Sequence, residues 1–305
     1  MKKSLLLSSM LLIGIAFNTF GCEICGCANN NFQIGILPTF SKGFMGIRYS
    51  SSQFNSTLRT DASQYSHDYF KTAELWGGYN FNKLQVMAFV PYVSSRKVSD
   101  DGTTVSNGMG DVMVLVNYRI LGSAALNEKE TTTVRNDIYV GGGIKLPTGV
   151  NQVNTNNPEF NIGDFNSQAG TGSVDYLLNV THNVMWNKSG VITNAAYRMN
   201  TANKQDYRFG NRAYINSAYY YTFVKSETKI KPNVGLNYQS NAINYYQGAE
   251  VENSNGYNLN GTIGLNVLRN KVGVNAMAFI PLTQNMYDGQ TTMKSRILLG
   301  LTYSF

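Results

Sequence analysis

The chain has 305 residues, of which only 14% are charged, while Gly, Tyr and Phe number 29, 20 and 15. That mixture of turn formers and strand formers excludes a disordered tail and does not resemble a helical enzyme. The formal net charge is +7, but Lys and Arg are scattered singly instead of clustered, so no nucleic-acid partner is expected.

The first segment, MKKSLLLSSMLLIGIAFNTFG, has a basic start (Lys2, Lys3), an apolar stretch from Leu5 to Phe17 and small residues before Cys22. It reads as a secretory signal over 1–21 that is cleaved on export, too short and badly flanked for a spanning helix. Its removal takes the net charge from +7 to +5. Residues 22–42 form a cysteine-containing segment, placed at the periplasmic mouth or in the lumen as a plug, and 43–305 form one domain. Whether 33–38 (QIGILP lies here) adds a strand is left open.

Beyond residue 42 the chain divides into alternating segments at 43–55, 67–80, 83–94, 110–121, 134–147, 172–185, 189–200, 211–224, 229–240, 257–269, 271–282 and 293–305. Their length suits a tilted strand crossing a bilayer. Connections alternate between tight (FNK, WNKS, KSET, RNK) and long, with 122–133 a longer member of the tight set. Outer-membrane barrels have short periplasmic turns, long external loops and an even strand number. The fold expected is therefore all-β: a transmembrane antiparallel barrel of about twelve strands, with both termini in the periplasm.

Side-chain alternation agrees. In GDVMVLVNYRIL, Val112, Val114, Val116, Tyr118 and Ile120 share one face and Asp111, Asn117 and Arg119 the other. The polar face belongs to the lumen, because a charge facing lipid at mid-bilayer costs ~2–4 kcal/mol. Tyr49, Tyr79, Tyr118, Tyr219, Tyr221, Tyr238, Tyr303 and Trp186 fall near strand ends, where an aromatic girdle belongs. MAFVPY (87–92) and MAFIPL (277–282) are near copies that end outward-running strands. The final strand alternates up to Tyr303 and Phe305, the residues expected to be read by the barrel-assembly machinery.

Strand parity gives a lumen-facing charged set of Arg48, Glu74, Asp111, Arg119, Lys145, Asp175, Arg198, Arg212, Lys231, Lys294 and Arg296. Eight of these are basic and three acidic. Arg48 and Glu74 are expected opposite each other across the first hairpin. Two readings compete: an anion-favouring path, or a narrow interior packed with paired charges and amides. In CEICGC, Cys22, Cys25 and Cys27 admit lipidation, a disulfide or a soft metal such as Cu(I) or Zn. A closed zinc site needs four ligands, and the only histidines are His67 and His182, so no cofactor is expected. Some barrels carry a Ser/His pair for acyl chemistry on the outer-leaflet wall. His182 falls in the periplasmic half and His67 near an external loop, so no catalytic residue is assigned.

GMGDVMVLVNYRIL, GGGIKLPTGV and GTGSVDYLLNV resemble, in that order, recurring motifs of an outer-membrane transporter family linked to the meta pathway of phenol degradation. CGC followed by FQIGILPTF and GFMGIRY is similar to a subgroup with a Cys-Gly-Cys head. The matching positions are Gly108, Gly110, Asp111, Pro147, Thr148, Gly149, Gly170, Gly172 and Asp175, read as architectural. The resemblance implies a transporter, and the lumen reads as polar throughout. The function expected is facilitated diffusion of a small, anion-biased solute across the outer membrane, in contact with outer-membrane lipid. The alternative is a closed barrel that docks partners through its Asn-rich loops and cysteine head, and a lipid-modifying enzyme ranks below both.

Overall fold

The computed structural model describes residues 42–57, 65–99, 102–122, 134–157 and 160–305. The expected signal segment, Cys22, Cys25, Cys27 and the candidate strand at 33–38 lie outside the described residues. The strands are β1 (Gly43–Thr57), β2 (Tyr65–Phe81), β3 (Leu84–Ser99), β4 (Gly102–Met109), β5 (Met113–Leu121), β6 (Val134–Lys145), β7 (Asp175–Trp186), β8 (Ser189–Met199), β9 (Tyr207–Arg208), β10 (Arg212–Tyr221), β11 (Phe223–Lys225), β12 (Thr228–Asn241), β13 (Asn244–Tyr246), β14 (Ala249–Val251), β15 (Gly256–Arg269), β16 (Val272–Met286) and β17 (Thr291–Ser304).

Twelve of them form a closed antiparallel barrel: β1 pairs with β2 and β17, order follows the chain on both sides, and β10 joins β12. These coincide with the twelve expected segments to within a few residues. The side that each residue takes follows the alternation: on β17 Leu301 is 52% exposed while Thr302, its neighbour, is 6% exposed and faces inward. The terminal residue is tied down by its backbone, since Phe305 N donates to Gly43 O (3.0 Å) and Gly43 N donates to Phe305 O (3.2 Å). An apolar end is thus sealed into the β1–β17 seam, which removes the free sheet edge.

The tight connections share one backbone device. Asn82, Asn187, Ser226 and Asn270 each occupy a positive-φ position, between 53° and 56°. Asn tolerates this left-handed conformation because its short polar side chain bonds locally, which lets adjacent strands return after two residues.

The external end departs from the sequence expectation. In the span 95–109, expected as a loop, β3 runs on to Ser99 and β4 from Gly102 pairs back along it as far as Tyr92 with Met109. The strand then leaves the ladder at Gly110–Val112 before β5 resumes pairing with β3 at Phe89–Met113. Further out, β9, β13 and β14 form a separate three-stranded sheet. It packs with the 3-10 turn Ile162–Ser167 around Val153, Phe165, Tyr207, Phe209 and Val251. Phe165 stacks on Tyr207 at 4.2 Å. Three long loops therefore share a small apolar core of their own at the external end.

Candidate functional site: the barrel interior

Directly opposed residues on adjacent strands face the same side, so inward residues form continuous rows that wind around the wall. One row runs Phe44, Gly78, Met87, Leu115, Gly143, Leu177, Arg198, Arg212 from β1 to β10. Its first part, with Trp76 and Phe89 from the adjacent row, is a buried apolar cluster. The expectation of a wholly polar lumen is corrected here. Met87-Ala88-Phe89-Val90 is apolar on both faces, so alternation does not reveal that Met87 and Phe89 point inward.

Arg48 lies against this cluster. Its Nε donates to Glu74 Oε1 at 2.8 Å, and Nη2 also meets that oxygen. The guanidinium is 4.8 Å from the Trp76 ring centre and 5.3 Å from that of Phe89. Pairing and stacking offset the cost of burying the charge. The two residues are direct register partners across β1 and β2.

A second row is built of amides: Asn80, Gln85, Asn117, Gly141, Asn179, Ala196, Tyr214, Gln239, Asn258. Asn179 Nδ2 donates to Asn117 Oδ1 (2.8 Å), Asn117 Nδ2 to Gln85 Oε1 (3.1 Å) and Gln85 Nε2 to Asn80 Oδ1 (3.0 Å). The next row aligns Thr181, Asn194, Asn216, Asn237 and Asn260 on five adjacent strands. These two rows thus give the wall a neutral hydrogen-bonding band.

At the external end three distant segments converge on Lys145. Its Nζ lies 2.6 Å from Asp111 Oδ2, 3.0 Å from Asp175 Oδ2 and 2.9 Å from Ser173 O, and it contacts Thr171 Oγ1. Asp111 accepts from Gly149 N and Thr171 N, each at 2.9 Å, and from Thr171 Oγ1 at 2.8 Å. Asp175 Oδ1 accepts from Ser173 Oγ (2.9 Å) and Thr201 N (3.1 Å). All three charges are almost fully buried. Around them Gly149 and Gly170 cross backbone to backbone: a Cβ on Gly149 would stand 2.7 Å from Gly170 Cα. The residues of the three resemblance motifs therefore form one structural joint that starts and ends the loop 146–174.

Arg198 and Arg212 are direct cross-strand partners, both inward and both 4% exposed, at the external ends of β8 and β10. Phe209 from the loop core lies 5.6 Å from the Arg212 guanidinium. Arg296 is 4.7 Å from the Phe279 ring and Lys231 Nζ is 5.2 Å from that of Tyr220. Arg119 is half-buried at the short-turn end, where Nη2 donates to Asn82 O at 3.1 Å.

Lys294 departs from the expected set: it is exposed and faces outward. The register shifts between Gln53 and Phe54, opposite 293–295. A bulge inserts one residue and reverses parity beyond it, which plain alternation cannot show. Parity reading also passed over the inward pair Arg135–Asp137, with Nη2 to Oδ2 at 3.3 Å. Alternation back from Lys145 along the same strand puts both on the inward face, so the signal for this pair was present in the sequence.

The histidines take part in small outward polar pairs. His67 Nδ1 is 2.9 Å from Asn55 Oδ1, and His182 Nε2 is 3.1 Å from Asn136 Oδ1 on the outer wall. Neighbouring Thr193 Oγ1 bonds Ser217 Oγ at 2.9 Å.

No family model matches the chain, and no curated protein matches it. Among solved structures, the chain is similar to the COG4313 outer membrane channel from Pseudomonas putida F1, with TM-score 0.61, 14% identity, and 88% of this chain and 97% of that chain covered. It is also similar to the β domain of the Bordetella autotransporter BrkA, with TM-score 0.51, 10% identity, and 87% and 100% covered. The transport unit of the autotransporter AIDA-I from Escherichia coli matches at TM-score 0.48, 11% identity, and 92% and 96% covered. The feature shared with the first two is the fold. The protein is a closed twelve-stranded β-barrel of the outer membrane.

Proposed function

We propose that the barrel is an outer-membrane channel for diffusion of a small solute, biased toward anions. The observation that carries this reading is the Arg198–Arg212 pair: two buried arginines that are direct cross-strand partners on the inner wall, on strands that contain no Asp or Glu. Arg48 and Lys145 meet Glu74, Asp111 and Asp175 in the interior ion pairs, and Arg119, Arg198, Arg212, Lys231 and Arg296 add five further basic side chains to the inner wall, whose excess of positive charge sets the electrostatic bias along the path in this reading. A ring of like charge selects ions through the potential it creates. The similarity to a solved outer membrane channel supports the reading at the level of fold, and the resemblance to the meta-pathway transporter family adds to it. Tyr303 and Phe305 are the assembly signal in this proposal, at the β1–β17 seam.

The test is single-channel current through the refolded chain in a planar bilayer under a salt gradient. Discrete steps whose reversal potential reports anion preference are expected, whereas cation preference would overturn the bias. A second reading, a closed barrel that docks partners through its loops, is favoured by the apolar cluster and by the loop core over the external end. A folded protein that stays electrically silent would select it.

A further inference from the structure

We infer that the outer wall of the barrel carries a docking site for a phosphate-bearing glycolipid of the outer leaflet, formed by Lys71, Arg96 and Lys294. The outward faces of β1, β2, β3 and β17 are apolar up to Tyr49 and Tyr92. These two tyrosines share a register row through Ala73 and mark the external edge of the apolar band. Immediately beyond it the outward residues change character. Ser51, Lys71 and Ser94 form the next row, and Gln53, Tyr69 and Arg96 the one after.

Lys71 and Arg96 are both exposed. They are diagonal neighbours, because Lys71 opposes Ser94 and Tyr69 opposes Arg96, a spacing that long side chains bridge. Lys294 approaches from the other side of β1, turned outward by the bulge opposite Gln53–Phe54. Two strand spacings, about 10 Å, separate the Lys294 strand from the Lys71 strand.

Two further observations select the occupant. Among the described residues, no Asp or Glu faces outward on this stretch: Asp68 and Glu74 point inward. The external outward faces of β7, β8, β10, β15 and β16 present Tyr176, Tyr197, Ile215, Tyr257 and Leu282 and no cation. Among the described residues of these strands, outward positive charge at this level thus lies on one side of the wall, one to two rows above the apolar edge. That is the depth at which the phosphates of an anionic glycolipid meet a barrel, with its acyl chains along the apolar face and its sugars against Tyr69. Juxtamembrane cations attract anionic headgroups by about 1 kcal/mol each, roughly fivefold in affinity per cation.

The experiment uses the full chain folded in detergent, titrated with diphosphorylated lipid A and with its dephosphorylated counterpart in mixed micelles. Bound lipid is counted by native mass spectrometry. The wild type is expected to bind the phosphorylated form at least about tenfold more tightly, and K71S/R96S/K294S to lose that preference, while K225S at a short turn retains it. If the triple variant fails to give the heat-modifiable band of a folded barrel, R96S alone is expected to weaken binding about fivefold. Equal binding of the two lipids by the wild type, or an unchanged preference in the folded variants, overturns the site.

Discussion

Lys145 and Asp111, 34 residues apart in sequence, meet at 2.6 Å inside the wall with Asp175 at 3.0 Å on the other side of the same ammonium. One cation thereby neutralises two buried carboxylates that would otherwise repel. Removing it leaves both uncompensated, at a cost of about 3–5 kcal/mol. K145M should lower the urea midpoint of the micelle-folded barrel by a corresponding amount. D175N, which keeps the Lys145–Asp111 pair, should cost less than half as much. Equal losses in the two variants would show that the joint does not depend on charge balance.

The crossing of Gly149 over Gly170 makes a second, steric demand. A Cβ on Gly149 would approach Gly110 C and Gly170 Cα at 2.7 Å each, backbone atoms that cannot rotate away. At Gly261 the nearest atoms are side-chain carbons of Leu282 at 3.8 Å. Overpacking of this kind costs about 1–3 kcal/mol, and here it falls on the root of loop 146–174. G149A is expected to speed cleavage within 150–170 by an added protease, with barrel mobility on a gel unchanged, and G261A to behave as wild type. A G149A protein as resistant as G261A would refute the argument.

The barrel itself was legible in the sequence because its lipid-facing side has to be apolar at every second residue and its turns have to be short on one side. Those two constraints are local, and they fixed β1, β2, β7, β8 and β17 to within a few residues. What stayed hidden depends on contacts between distant segments. Asp111, Lys145 and Asp175 could each be assigned to the interior, but nothing local brings Thr171 and Ser173 to the same ammonium. Met87 and Phe89 were invisible as interior residues because their outward neighbours Ala88 and Val90 are apolar too. Lys294 was misplaced because a bulge leaves no signature in a run of mixed residues. The β4 strand pairs only with β3, and β9, β13 and β14 form their own small sheet apart from the barrel, so the lipid-facing alternation that marks the barrel strands does not mark them.

The proposed anion bias has a residue-level consequence. Arg198 and Arg212 stand at the external end of their strands, so a permeating ion meets their joint field early. R198S/R212S should shift the reversal potential toward cation preference while leaving the backbone pairing of β8 with β10 and the Thr193–Ser217 side-chain bond between them in place. R296S, with one cation removed further along the wall, should produce a smaller shift in the same direction. A double variant as anion-selective as the wild type would move the selectivity determinant elsewhere in the lumen.

The two tryptophans provide a test of which side each wall faces. Trp76 is 6% exposed, inward, and packed between Phe44 at 4.8 Å and Phe89 at 6.1 Å, with Arg48 over its ring. Trp186 is 36% exposed at the short-turn end of β7, beside Tyr219 at 6.3 Å, where amphipathic rings settle at the lipid boundary. Brominated lipids quench only indoles in contact with acyl chains. In bilayers of such lipid, W76F, which keeps Trp186, should be quenched strongly, and W186F, which keeps Trp76, should be almost unaffected. Quenching of Trp76 would place β2 in the opposite phase, and because Glu74 shares its face, the Arg48–Glu74 pair and every inward row tied to it would have to turn toward lipid as well.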